Sequence, residues 1–346
     1  MAKIAIIGDI HIGARNSNKT VEKWQNKFFD DLFFPYLKEH GIKTVFQLGD
    51  FFDNRKWINV QSLDNMYEHI IAPSIEQNLE WNILVGNHEI PLKNTLKGHT
   101  PGMMLNHYPG FNVYDEPVNI PVDDQEFTLV PWICKDNQEK ILKVIRDGGD
   151  TILGHFEITG ALMHPGAFCQ DGLKISDFNN WKRMWSGHFH SQSLTENIHY
   201  MGTPYQMNWS DASTKHGFWV FDTTDESLQF VENSYRYFHR IYWNDGSNYP
   251  LETIKDGYVK VTVQKKTDFE IFEKFVDQIN FNSPFEMKVI ESYEEYNQEN
   301  VQDLIQVSTT EELISEYIED VATTTSKEAI TKKMLEIYHE AMSIEE

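Results

Sequence analysis

The chain has 346 residues, of which 40% are hydrophobic and 13% aromatic. That is enough to bury a sizeable core and too apolar for a disordered tail. Thirty Lys plus Arg against 53 Asp plus Glu leave a formal net charge of −23. Such a balance excludes a free-standing DNA-coating or membrane-surface protein, because counterion release needs a basic face. A nucleic-acid enzyme whose metals or partner supply positive charge stays open. The two cysteines, Cys134 and Cys169, cannot build a disulfide framework or a thiolate zinc site, and read as reduced core residues. The apolar run Ile4 to Ile7 meets Asp9 and His11 before a signal-peptide core is complete. No uncharged apolar stretch reaches the ~18 residues of a membrane span. The expectation is a soluble, cytoplasmic protein with no membrane partner.

The first ninety residues alternate strand and helix. Lys3 to Gly8, Thr44 to Leu48 and Trp81 to Val85 are apolar, β-branched runs that predict buried strands. Between them, 20–38 and 60–77 carry apolar residues at helical spacing. This βαβαβ order predicts parallel strands with helices on the faces. The middle is richer in strands. Phe127 to Trp132, Thr151 to Gly154, Met184 to Gly187, His199 to Gly202, Phe218 to Phe221 and Leu228 to Val231 are short apolar runs bounded by turn residues. One helix, 137–147, interrupts them, and two sheets packed face to face with helices outside accommodate the count. Beyond residue 240, a strand at Tyr258 to Val263, a helix through Phe269, Phe272, Phe275, Val276 and Ile279, and a strand at Phe285 to Ile290 form a βαβ unit. From Asn297 onward twelve acidic residues face three basic ones. Thr309 with Glu312 and Thr325 with Glu328 are shaped like capping boxes opening two helices. Leu313, Tyr317 and Val321 stripe the first of these, and Ile330, Met334, Ile337 and Ala341 the second.

Five of the predicted strands end in glycine followed closely by a potential ligand. Gly8-Asp9-Ile10-His11 ends the first, and residues i and i+2 of an extended segment project to one side, so Asp9 and His11 can grip one ion. Gly49-Asp50-Phe51-Phe52-Asp53 ends the second, and a carboxylate such as Asp50 can bridge two ions. In Gly86-Asn87-His88-Glu89, Asn87 offers a neutral oxygen and His88 an imidazole for proton transfer. Gly154-His155 and Gly187-His188-Phe189-His190 complete the set. A single histidine is usually a hydrogen-bonded surface or core residue, and His40, His69, His107, His199 and His339 are read that way. Five such strand ends together point to one site, because ligands of open α/β folds gather at the carboxyl ends of strands. Asp, His and Asn donors without a thiolate suit Mn²⁺, Fe²⁺ or Zn²⁺.

In this order, the five motifs resemble those of the calcineurin-like metallophosphoesterases. The closing Gly187-His188-Phe189-His190, and Tyr200-Met201-Gly202-Thr203-Pro204 after it, resemble the branch of SbcD-type recombination nucleases. The likeness covers about 1–235, and the length and order of elements are similar to phage members of that branch. The fold implied is an α/β/β/α two-sheet sandwich at 1–240, followed by a small βαβ accessory domain at 241–296 and a helical partner-binding tail at 297–346.

Carried over position by position, the resemblance implies two divalent metals, Mn²⁺ in first place and Mg²⁺ in second. Asp9, His11 and His190 would hold one, and Asn87, His155 and His188 the other. Asp50 would bridge them, and His88 would act on the scissile phosphate. It further implies exonuclease and single-strand endonuclease action at DNA ends, an SbcC-like coiled-coil ATPase partner, and a homodimer through helix 60–77 within a heterotetramer. Arg15, Lys19, Arg55, Lys56, Lys93 and Lys97 lie beside the motifs and could contact a DNA backbone, although for each a solvated surface position is the favoured reading. Two positions depart from the branch: Glu89 stands where Asp is usual, and Asp53 where cellular relatives often have histidine. Gly-Asn-His-Glu also occurs in phosphoprotein phosphatases, which keeps a phosphatase open. A metal-free scaffold of the same fold would show gaps among the ligand positions, and here all are filled.

Overall fold

The computed structural model describes residues 2–164 and 167–291, with 326, 327, 330 and 332–334. The chain divides into two compact units, Met1–Ile290 and Glu291–Glu346. In the second unit, Ile330 and Met334 are helical and the backbone N–H of Ile330 donates to Ser326. The capping boxes and the rest of both apolar stripes lie outside the described residues.

Two six-stranded sheets form the body of the first unit. From edge to edge, the first runs Leu228–Glu232, Gly217–Asp222, Lys3–Ile7, Thr44–Gln47, Glu80–Leu84 and Phe111–Tyr114. Its last four strands are parallel, and Gly217–Asp222 is antiparallel to Lys3–Ile7. The second runs Ser193–Thr195, Ile198–Tyr200, Trp181–Ser186, Gly149–Gly154, Gln125–Val130 and Val118–Val122. Its central four are parallel and its two edges antiparallel.

Period-2 alternation explains the layering. Ile4 and Ile6 of the first sheet share a core with Phe127, Leu129 and Leu153 of the second. Ala5 and Ile7 face the other way, towards Phe28, Phe33 and Ile70 of two long helices. On the outer face of the second sheet, Ile152 and Met184 pack on Ile141 and Ile145 of the helix Gln138–Asp147. The result is the expected α/β/β/α sandwich.

The long helices span 19–39 and 60–76, and each widens into a π-turn, at Phe29–Phe33 and at Tyr67–Ile71. Phe34 N–H reaches back to Phe29 and Ala72 N–H to Tyr67, and in both cases proline follows directly. A proline lacks the N–H that a regular turn needs, and a π-turn is one way to absorb the defect. Asn18 and Asn59 cap the two starts, their side chains accepting backbone N–H groups at 20, 21 and 61.

A third sheet orders Phe238–Asn244, Tyr258–Lys265 and Glu286–Glu291. Phe238–Asn244 adds a strand to the βαβ unit legible in the sequence, and it pairs in parallel with Tyr258–Lys265. The helix Phe269–Phe281 lays Phe272, Phe275 and Ile279 over Trp243, Val261 and Val263. At the near end, Phe238 and Tyr258 belong to the large core of the sandwich, so the small sheet is packed against the body rather than tethered to it.

Candidate metal centre

The five glycine-ended strands deliver their ligands to one place. Asp9, Asp50 and Asn87 follow the carboxyl ends of Lys3–Ile7, Thr44–Gln47 and Glu80–Leu84. His155 and His188 follow those of Gly149–Gly154 and Trp181–Ser186. Close approach is built into the glycines: a Cβ on Gly187 would stand 2.5 Å from Asp9 Oδ1, and one on Gly86 would stand 2.2 Å from Asp50 Oδ1. Three of the ligands also carry left-handed backbone, His11 at φ 52°, Asp50 at 53° and His188 at 84°. Such conformations cost about 1–3 kcal/mol each and persist where the surroundings over-determine them.

Two donor sets share Asp50. In the first, Asp9, His11 and His190 bring one ligand atom each to within 4.8 Å of one another. In the second, Asp50, His155 and His188 do the same. Asn87 belongs with them, because its Oδ1 is 2.9 Å from His155 Nε2 and 3.1 Å from His188 Nδ1. Asp50 Oδ2 lies 3.3 Å from His155 Nε2 and 3.9 Å from His11 Nε2, between the two sets. All seven residues named from the sequence are thus brought together.

His88 stands beside the centre. Its ring lies 4.8 Å from that of His11, its backbone N–H donates to Asp50 Oδ1, and its Nδ1 donates to the Asp53 carbonyl at 2.9 Å. Asp53 also sets Oδ1 3.3 Å from His11 Nδ1.

The electrostatics are those of a cradle for cations. Asp9 and Asp50 are 1% and 2% exposed, and His11, 2% exposed, has neither ring nitrogen hydrogen-bonded. Buried acids, and a buried imidazole whose nearest partners are carboxylates at 3.3 to 4.0 Å, are costly unless a charge satisfies them. Burial pushes the Asp9 carboxyl up to about 6, helped by Asp50. Burial also opposes ionisation of Asp50, yet the imidazoles of His155 and His11 outweigh it and hold that carboxyl below the usual range. His11 and His155 rise to about 9 against the cost of burial, His11 through Asp53 and Asp50, His155 through Asp50 and Asp9. Burial and neighbouring imidazoles lower His188 to about 3 and His190 to about 4. Two divalent ions fit this donor set, and their binding would displace the protons held on His11 and His155.

Further residues serve the site from outside the set of seven ligands. Glu89 is fully buried, and its two carboxylate oxygens accept the backbone N–H groups of Phe52 and Gly86 at 3.0 and 2.7 Å. It ties the second ligand loop to the third. Trp132, just past Gln125–Val130, walls the second set, with its ring 5.8 Å from His155 and 5.2 Å from His188. Gln25 donates to the carbonyls of Ile10 and His11, and Tyr205 donates to Ile10, which fixes the first ligand loop. The histidines read as structural behave so where described. His69 pairs with Asp30, His40 stacks on Tyr36, and His199 packs edge-on against Trp219. Arg15 lies over the Phe238 ring.

The calcineurin-like phosphoesterase family model matches residues 2–204, which contain every one of these ligands. The chain belongs to the calcineurin-like phosphoesterases. Along nearly its whole length this phosphoesterase is also similar to the protein named exonuclease subunit 1 of Enterobacteria phage T4. The two are 28% identical over 343 residues, covering 98% of this chain and 99% of the relative. A solved structure described as a novel archaeal phosphodiesterase aligns with 67% of this chain and 99% of its own, at 12% identity and a TM-score of 0.32. Among the described residues no helix is long and apolar enough to cross a membrane.

Proposed function

We propose that this phosphoesterase is a dimetal DNA nuclease, exonuclease and single-strand endonuclease, that works at DNA ends in recombination and repair with an SbcC-like coiled-coil ATPase. The observation that carries the reading is the buried set Asp9, His11, Asp50, Asn87, His155, His188 and His190 with His88 at its edge, in a chain similar end to end to a phage exonuclease subunit. Mn²⁺ is the metal assigned, with Mg²⁺ as its substitute. The bound cations would supply positive charge against the phosphate oxygens and activate a water as nucleophile.

The chain's own residues do the rest. Asp50 holds the two donor sets in register. The Asp53 carbonyl accepts Nδ1–H of His88, so the ring turns Nε2 to the substrate; as the imidazolium, with a second proton on Nε2, it donates to the phosphate or gives that proton to the departing sugar oxygen. An open pocket of about 200 Å³ beside His188 and His190, bounded by Met163, Asn208 and Ser210, gives the phosphate a way in. Glu89, the residue shared with phosphoprotein phosphatases, braces the backbone N–H groups of Phe52 and Gly86 in this chain.

In this reading, 241–296 cap the nuclease body of 1–240. The apolar stripes within 297–346 dock on the root of the ATPase coiled coil, their acidic excess disfavouring DNA as a ligand. The helix 60–76 faces a second copy. The ensemble works in the cytoplasm of the cell, the host's in the case of a phage protein. The test offers linear duplex, single-stranded circle and a phosphorylated peptide with Mn²⁺, with and without the ATPase. Cleavage of both DNAs is expected. Hydrolysis of the peptide alone would replace this reading with a phosphatase.

A further inference from the structure

A second cavity lies where the small sheet meets the body. The helical segment Lys19–Phe28, the turn Trp209–Ser213 and the strand Phe238–Asn244 enclose about 680 Å³, within the range of ligand sites. The chain carries 53 acidic residues, yet none of those among the described residues lines this cleft, whereas Lys27, Arg236 and Arg240 do. Lys27 is already paired with Asp31, so the two arginines would meet an anion. Arg236 donates to the Ala212 carbonyl at 3.2 Å and Arg240 to that of Trp209 at 2.8 Å. A guanidinium carries five N–H donors, so one such bond orients the fork without exhausting it.

Aromatic rings supply the other half of the chemistry. Trp24 is held from behind by Tyr237, stacked at 5.8 Å, and Tyr249 is fixed through its hydroxyl to His239 Nδ1 at 2.9 Å. Tyr242, 54% exposed, stands at the cleft with no burial to explain it. Fixed π-faces beside arginine forks are what a base and its phosphate require. The turn 208–213 links this cleft to the metal centre. Asn208, Ser210 and Asp211 line the pocket of His188 and His190, while Ala212 and Ser213 line the cleft.

We propose that this cleft binds a nucleotide, its phosphate on Arg236 and Arg240 and its base on Trp24 or Tyr242. The nucleotide is either free or part of a single DNA strand that continues across the turn to the metal centre. The strand form rests on the DNA reading above; the free form does not.

The test is anisotropy of a short fluorescein-labelled oligothymidylate on the full chain in EDTA, with dTMP as competitor, for wild type, Arg240→Gln and Tyr242→Ala. Each substitution should weaken binding at least about fivefold, the lower end for a lost stacking partner. Arg240→Gln should also flatten the salt dependence by about 0.7 in logarithmic slope, one phosphate contact to a single strand. Arg240 supports the turn at Trp209, so Tyr242→Ala is the arm free of any folding effect. Weakened dTMP binding in the variants would identify a free-nucleotide site, and weakening for the oligonucleotide alone a strand track. Variants that bind both probes like wild type, at every salt, would overturn the cleft while leaving the nuclease reading intact. A wild type that neither cuts nor binds DNA would end the nuclease reading, and dTMP would then decide the cleft alone.

Discussion

The carbonyl oxygen of Asp53 lies 2.9 Å from Nδ1 of His88. One residue of the second ligand loop thereby sets the tautomer of the imidazole on the third. The same residue's carboxylate sits 3.3 Å from His11 Nδ1. Asp53 thus orients a ligand with its side chain and a proton-transfer group with its backbone. A change of side chain at 53 would leave the second contact standing.

His88→Asn should therefore separate chemistry from binding. His88 is not among the seven residues assigned as ligands, so metal content should stay native while single-turnover DNA cleavage falls about 10²–10⁴-fold, the range for a positioned acid or base. Cleavage at the native rate would show that another group serves the leaving oxygen. Loss of metal together with rate would make His88 a ligand.

The ligands were legible because each follows a glycine at the end of an apolar run, and the sandwich because those runs have the length and β-branching of buried strands. The remainder is carried by tertiary contact. Glu89 looked like a motif letter borrowed from phosphatases, and only the fold shows its oxygens on the N–H groups of Phe52 and Gly86. The edge strands Phe111–Tyr114 and Val118–Val122 are short and half-buried, and Pro121 interrupts the second, so their hydrophobic signal is weak. Phe238–Asn244 alternates cleanly, but His239 and Arg240 break its apolar run. The π-turns at Phe29–Phe33 and Tyr67–Ile71 leave the helical spacing of the flanking residues nearly unchanged, so a single helix was the natural reading of each.

Glu89→Gln tests the brace. Burial and Asp50 push the Glu89 carboxyl up to about 8, so the comparison is made above that pH, where both oxygens accept. The amide keeps one acceptor but turns an NH₂ towards a backbone donor, so one of the two N–H groups loses its partner. The expected cost is about 1–3 kcal/mol, read from the denaturant midpoint, with weaker Mn²⁺ binding as the two loops part. A variant as stable as wild type, with native metal affinity, would show that the loops hold without this carboxylate.

Acid stability should carry the mark of His199, which lies away from the metal centre. Burial lowers this imidazole from 6.5 to about 4 in the folded state. A depressed folded value means that its contribution is complete above pH 6.5 and is lost as pH falls towards 4. Wild type should lose stability across that window with a slope of up to about 1.4 kcal/mol per pH unit from this group. His199→Gln should be flatter by that amount. Equal slopes for the two proteins would mean that His199 is solvated as in the unfolded chain.

The account stands on two cations sharing Asp50, whose Oδ2 lies 3.3 Å from His155 Nε2 and 3.9 Å from His11 Nε2. Calorimetric titration of the full chain with Mn²⁺ tests this most directly. Two equivalents should bind wild type, and Asp50→Asn should bind neither ion with native affinity, because it loses the charge and the second oxygen that serve both sets. Less than one equivalent on wild type, or two native-affinity ions on Asp50→Asn, would contradict the dimetal centre.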